Sequence, residues 1–244
     1  ARVVDQQERE RYRYMTHSLA SEEELPLRKI VRPLIKLARI AYIQGTTIVK
    51  LLPSERAIQL YYKIRRKSYD LQWAMDPGYR KGLTRLIDMV VEEDDRVLDV
   101  GCGTGSATVM AAAKARHVMG IDLSPDMIEL AEEKVAKYSL SNCELAASSV
   151  EDYGPEEPFD KVISSFMIPH VKPPLRPAIY SYMYSFLKPG GLIGLFGSRG
   201  EVCEVYETRE QVVDNLTRAG FKDIEIIDIY DIYRIALARR PLDH

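Results

Sequence analysis

From about residue 76 the chain switches repeatedly between two hydrophobic periods. Short apolar runs alternate with longer stretches whose apolar positions recur every three or four residues. Leu83–Val91 has the helical period, and Val97-Leu-Asp-Val100 is a short buried strand followed at once by an alanine-rich helical stretch. His117–Asp122 is a second strand. Ser124-Pro125 supplies an N-cap and a proline at the first helical position, so a helix is predicted from there to about Tyr138. Cys143–Ala147, Lys161–Phe166 and Leu192–Phe196 are predicted strands. Thr208 and Gln211 have the spacing of a capping box, for a helix that stops at Gly220. Ile224–Ile229 and Ile232–Ala238 follow with only Tyr230-Asp231 between them, and so short a link forces antiparallel pairing. The expected fold is α/β: a doubly wound, mostly parallel seven-stranded sheet with an antiparallel C-terminal hairpin, over residues 76–244.

Residues 1–75 have a different character and are expected to form a helical N-terminal extension or lid. Residues 1–24 are polar and charge-mixed. Residues 27–52 are amphipathic, with Arg28, Lys29, Arg32, Lys36 and Arg39 in one arc of a helical wheel. Ser54 is a candidate N-cap for a further basic helix. Residues 25–70 hold eleven Lys/Arg against Glu55 and Asp70, a charge of +9, which leaves −11 on the rest of a chain whose net charge is −2. Such polarity points to an interaction surface. Three readings stay open: a cap that packs on the acidic body and covers the active site, with a homodimer as one form; a peripheral membrane contact through residues 27–70; and, third, an arm for RNA. Three irregularly spaced cysteines fit a reducing compartment. No apolar run reaches the length of a membrane span and the start lacks a signal-peptide core, so the expected location is cytoplasmic, peripheral to the membrane if the second reading holds.

The chemistry is concentrated in residues 96–105, Arg-Val-Leu-Asp-Val-Gly-Cys-Gly-Thr-Gly. Asp99 interrupts a buried strand, and a buried carboxylate needs a partner. Gly101, Gly103 and Gly105 give a turn where a ligand can approach the main chain. Asp122 ends the second strand 21 residues beyond Gly101, the separation at which an acid meets a ribose hydroxyl in doubly wound folds. Dinucleotides and S-adenosylmethionine both use such a unit. A carboxylate just before the turn would repel a pyrophosphate. The amino group and sulfonium of S-adenosylmethionine are cationic, so Asp99 favours the latter.

The chain resembles the class I S-adenosylmethionine-dependent methyltransferases of the small-molecule and lipid-acceptor type. Val97–Gly105 matches their first motif, Gly120-Ile-Asp-Leu-Ser-Pro-Asp-Met127 the segment after it, and Phe186-Leu-Lys-Pro-Gly-Gly-Leu192 the late helix-to-strand turn. The resemblance implies that Asp99, Gly101, Cys102, Gly103 and Gly105 hold the methionine part of the cofactor. It implies that Asp122 accepts from both ribose hydroxyls, and that Leu123 and Met127 flank the adenine. Phe166 would lie beside the sulfonium, and Tyr69, in a Tyr-Asp pair before the core, would touch the cofactor from a lid. Where many relatives have an acid facing the adenine amino group, this chain has Ser148 or Ser149. Cys102 reads as a small turn residue. His170, in a loop after the fourth strand, is the candidate general base. No metal site is expected. The Asp/Asn-Pro-Pro-aromatic motif of nucleic-acid amino-methylating enzymes and the two-glutamate loop of arginine methyltransferases are missing. The expected partner is a small-molecule or lipid acceptor. A catalytically silent cofactor-binding subunit and a dehydrogenase remain as alternatives.

Overall fold

The structure is a computed structural model that describes residues 76–243 apart from 203, 230 and 231. Tyr69, the basic stretch at 27–70 and the helices expected before residue 76 lie outside the described residues. The described elements run α1 (Pro77–Val90), β1 (Arg96–Val100), α2 (Ser106–Ala112), β2 (His117–Asp122), α3 (Pro125–Lys137), β3 (Cys143–Ala147), β4 (Phe159–Ser165), α4 (Arg176–Ser185), β5 (Leu187–Ser198), α5 (Arg209–Ala219), β6 (Lys222–Ile229) and β7 (Tyr233–Arg239). Two single 3₁₀ turns, Ile168–His170 and Pro173–Leu175, join β4 to α4.

The seven strands form one sheet in the order β3-β2-β1-β4-β5-β7-β6. The first five are parallel, and β7 pairs antiparallel with both β5 and β6. This is the expected doubly wound sheet with its closing hairpin. The parallel strands are apolar on both faces because helices cover both. Along β1, Val97 faces one helix layer and Leu98 and Val100 the other. The first layer includes Leu83, Leu86 and Val90 of α1 and Met110 and Ala111 of α2. The second includes Tyr180 and Met183 of α4 and Val212 and Leu216 of α5.

Several boundaries differ from those read in the sequence. α1 begins at residue 77, before Leu83, because Asp76 caps it by accepting from the Tyr79 amide at 3.0 Å. The Asp76 carboxyl also accepts from the Tyr233 hydroxyl at 2.9 Å, which ties the start of α1 to β7. β4 stops at Ser165, and Phe166 turns to φ 60° instead of continuing the strand. β5 starts at Leu187, since the Lys-Pro-Gly-Gly segment is accommodated within the strand through a register shift against β4. Ser124 stands at the N-cap of α3 but makes no side-chain cap bond. The Thr208–Gln211 capping box and the left-handed Gly220 cap of α5 are both present.

α1 lies close against β5 because Gly194 leaves room for it. A Cβ on Gly194 would lie 2.5 Å from Val90 Cγ2 and 3.0 Å from Leu86 Cδ1, both in a packed core. Gly194→Ala is therefore expected to lower stability by about 1–3 kcal/mol. Val90→Ala added to it is expected to recover part of that loss, seen as a negative coupling in a denaturant double-mutant cycle.

Candidate active site

The strand order reverses between β1 and β4: α2 carries the chain outward from β1 to β2, and the later connection returns it to β4. Open α/β sheets bind ligands in the crevice at the carboxyl ends of such strands. The glycine turn after β1 stands at that place. Gly101 and Gly103 have φ of +70° and +54°, a region that side chains rarely adopt. Gly101 is also crowded: a Cβ there would meet Met167 Cγ at 2.2 Å. Gly103 is open, with nothing within 4 Å of where a Cβ would stand. Gly105 is the N-cap of α2, and Cys102 is a buried turn residue whose thiol burial pushes up well above its usual pKa. That places Cys102 with the small turn residues and not with nucleophiles.

Backbone and side-chain bonds fix the turn. The amides of Gly101 and Cys102 both donate to Ile121 O, at 2.8 and 2.9 Å. Asp122 accepts from Gly103 N through one oxygen and from Ser124 N through the other, each at 2.9 Å. Its pKa is raised by burial, and these two backbone bonds oppose the rise. Lys134 Nζ, from α3, donates to Thr104 Oγ1 at 3.2 Å and Ser106 Oγ at 3.0 Å. Sequence reasoning missed Lys134, because a lysine on the polar face of a helix carries no local signal of what it reaches.

Asp99 is fully buried. Thr108 Oγ1, one turn into α2, donates to its Oδ2 at 2.6 Å, while Oδ1 is buried with no hydrogen-bond partner. Burial pushes the carboxyl up to about 7, the Thr108 bond works against this, and the nearby Asp122 charge adds to it. Thr108 was also missed, although its position on the strand-facing side of α2 follows from the Asp99–α2 spacing.

The remaining expected residues are spread around this centre. Leu123 is 42% exposed directly after Asp122, and Met127 is buried in the first turn of α3. Ser148 is anchored beside β2 by its amide, which donates to Asp122 O at 2.9 Å. Ser149 Oγ donates to Asp152 Oδ2 at 2.7 Å, and accepts from the Asp152 amide. Phe166 is buried within an aromatic cluster, with Tyr79, Phe196, Tyr206 and Tyr233 at ring-centroid distances of 5.2–6.0 Å. His170 is exposed on the 3₁₀ turn beyond β4. Among the described residues no group of His, Cys, Asp or Glu could hold a metal ion, and no helix is long and apolar enough to cross a membrane.

A second polar centre, unforeseen in the sequence, lies at the ends of β4, β5 and β7. A cavity of about 50 Å³ is lined there by Met167, Tyr180, Ser198, Glu207 and Arg234 among others. Met167 is thus shared between this cavity and the Gly101 turn. The buried Glu207 carboxylate accepts from Tyr180 Oη and Asn215 Nδ2, each at 2.6 Å. Burial and the adjacent Glu207 hold the Tyr180 phenol far above its usual pKa, so it stays a donor. These partners lie 27 and 8 residues apart in the chain, in no recurring pattern, which is why the sequence did not reveal them.

Residues 97–191 match the family model described as a methyltransferase domain. That match agrees with the resemblance to S-adenosylmethionine-dependent methyltransferases carried by the motifs in this stretch. Phosphoethanolamine N-methyltransferase 1 of Arabidopsis thaliana is 37% identical over 107 residues, 43% of this chain and 21% of that protein. Demethylmenaquinone methyltransferase of Listeria monocytogenes serotype 4a (strain HCC23) is 32% identical over 146 residues, 56% of this chain and 60% of that protein. The chain therefore spans between about a fifth and three fifths of these curated relatives. In shape, the methyltransferase domain is similar to DhpI, solved in complex with SAH, with a TM-score of 0.65 at 22% identity, over 75% of this chain and 95% of that one.

The raised Asp99 pKa has a measurable effect on folding. Between about pH 4 and pH 7 the folded protein keeps a proton on Asp99 that the unfolded chain releases. Stability from this group therefore falls as pH rises through that window and levels off above 7, a loss of roughly 4 kcal/mol in all. In urea unfolding at pH 5 and pH 8, Asp99→Asn is expected to gain stability relative to wild type on going to pH 8. Equal differences at the two pH values would contradict it.

Proposed function

We propose that the protein transfers the methyl group of S-adenosylmethionine to a small-molecule acceptor. The observation that carries this reading is the buried, unpartnered Oδ1 of Asp99 in β1, the strand that leads into a glycine turn open at Gly103. Leaving a buried acceptor unsatisfied costs about 1–3 kcal/mol, and a cationic ligand removes that cost. The donor set fits the cofactor: a carboxylate for its ammonium group, a second strand-end carboxylate for vicinal hydroxyls, and between them a turn that is open at Gly103.

On this reading Asp99 and the backbone of Gly101, Cys102, Gly103 and Gly105 hold the amino-acid part. Asp122 already accepts two amides, and it has lone pairs left for the ribose hydroxyls. Leu123 and Met127 are the apolar contacts for the adenine, with Ser148 and Ser149 at its polar edge. Phe166 is assigned to the sulfonium side, where an aromatic face attracts a cation, and Tyr69 is kept as a cofactor contact from the segment before residue 76. When bound, S-adenosylmethionine supplies an electrophilic methyl carbon: the acceptor's nucleophile bonds to it while the carbon–sulfur bond breaks with its electrons left on sulfur, giving S-adenosylhomocysteine and one acceptor proton to be released. The protein's share is alignment and exclusion of water. His170, exposed beyond β4, is the candidate holder of the released proton. The basic stretch 27–70 adds an attraction for anionic membrane surfaces, which suits an acceptor of lipid-like solubility.

Calorimetry with S-adenosylhomocysteine tests the cofactor reading directly. Near pH 6 the ligand's ammonium group should force Asp99 to ionise, so binding is expected to release close to one proton, visible as a dependence of the enthalpy on buffer ionisation. Asp99→Asn should abolish that release and weaken binding at least about tenfold. Absence of heat from folded protein would remove the proposal. His170→Ala is expected to lower kcat about a hundredfold with the cofactor Kd unchanged, and an unchanged kcat would assign His170 to the surface alone.

A further inference from the structure

We propose that the acceptor is an uncharged, mainly apolar molecule that sets a hydroxyl or carbonyl oxygen on Ser198 Oγ, inside the cavity at the ends of β4, β5 and β7. This inference rests on the methyltransferase reading and concerns the side of the site that the cofactor leaves free. The cavity shares Met167 with the glycine turn, so a molecule held in it lies next to the cofactor crevice.

Three properties of the lining point the same way. Most of its wall is apolar: Phe166, Ile168, Leu195, Phe196 and Val212 stand around the opening. Ser198, at the last position of β5, is 6% exposed, and its Oγ is buried with no hydrogen-bond partner. A hydroxyl both donates and accepts, so it can serve a ligand hydroxyl or a ligand carbonyl. The charged groups nearby are already engaged. Arg234 Nε donates to Asp228 at 2.7 Å, Nη2 reaches both Glu201 oxygens at 3.0 and 3.1 Å, and Nη1 reaches Glu207 O at 3.5 Å. Arg176 donates to the carbonyls of Val171 and Val205.

The consequence for the acceptor is electrostatic. A phosphate group needs cations or free backbone amides to replace its water. Here it would meet the Glu207 carboxylate and a guanidinium already held between two carboxylates. An uncharged oxygen has no such cost, and the cavity, at about 50 Å³, admits it together with the first ring atoms behind it. Tyr180 and Glu207 then position the wall without touching the transferred methyl: the phenol donates to the carboxylate, and neither needs to change protonation during the reaction.

The test uses the full chain loaded with S-adenosylhomocysteine, under reducing conditions. Two probes are titrated by calorimetry, 1,4-dihydroxynaphthalene and phosphoethanolamine, and both are then offered with labelled S-adenosylmethionine. The first is expected to bind and the second not to. Ser198→Ala should weaken the first about tenfold while leaving S-adenosylhomocysteine affinity unchanged and the melting temperature unchanged or higher, since it deletes a hydroxyl that bonds nothing in the protein. A merely structural serine would instead lower the melting temperature and leave the probe's affinity alone. Saturable binding or methylation of phosphoethanolamine overturns the proposal and keeps the methyltransferase reading. So does a wild-type protein that binds the cofactor product but neither probe, or a Ser198→Ala protein that binds the first probe as well as wild type. Failure to bind S-adenosylhomocysteine at all defeats the reading on which the proposal rests.

Discussion

The Asp99 carboxyl has no access to water, and Thr108 satisfies only one of its two oxygens. That imbalance is held in place by the sheet. β1 pairs on one side with β2 and on the other with β4, so the strand cannot shift to expose the acid without breaking two ladders. The carboxyl is raised to about 7 because its surroundings are dry. The same dryness strengthens its attraction for a cation delivered to it. An acid of this kind weakens the folded protein at neutral pH, and the packing of α1, α2, α4 and α5 on the two faces of the sheet must exceed that cost.

Asp122 depends on the same arrangement in a different way. It lies one strand over and binds the glycine turn from outside, through Gly103 N, and its own next turn through Ser124 N. Lys134 supports the turn from α3. The crevice is therefore a rigid backbone form whose two acids have unequal surroundings. One accepts an amide on each of its oxygens, and the other has one oxygen without a partner.

Much of this was legible in the chain. The two strand-end acids, the glycines between them and the alternation of periods predicted the sheet, its hairpin and the position of the crevice, because each is a local pattern with a local cause. Boundaries moved where a tertiary partner decided them. Asp76 lengthens α1 partly through a residue 157 positions away, and the Pro-Gly-Gly segment stays in β5 because β4 and β7 flank that strand. The polar centre at Glu207 was not legible: Tyr180, Ser198, Glu207, Asn215 and Arg234 meet only once two strands, two helices and the segment before α5 are assembled, and no spacing encodes that meeting. Ser124 shows the opposite failure: it stands at the N-cap of α3, yet its hydroxyl makes no cap bond.

The bond from Tyr233 to Asp76 has a mechanical implication. Asp76 is the first residue of the described fold and also caps α1, so a tug on the preceding chain meets a clamp before it reaches the first helical turn. The load passes through the phenol into β7, which lies between β5 and β6 and is hydrogen-bonded to both. The point where the described fold begins is thus moored to a strand paired on both sides, not to the glycine turn of the crevice.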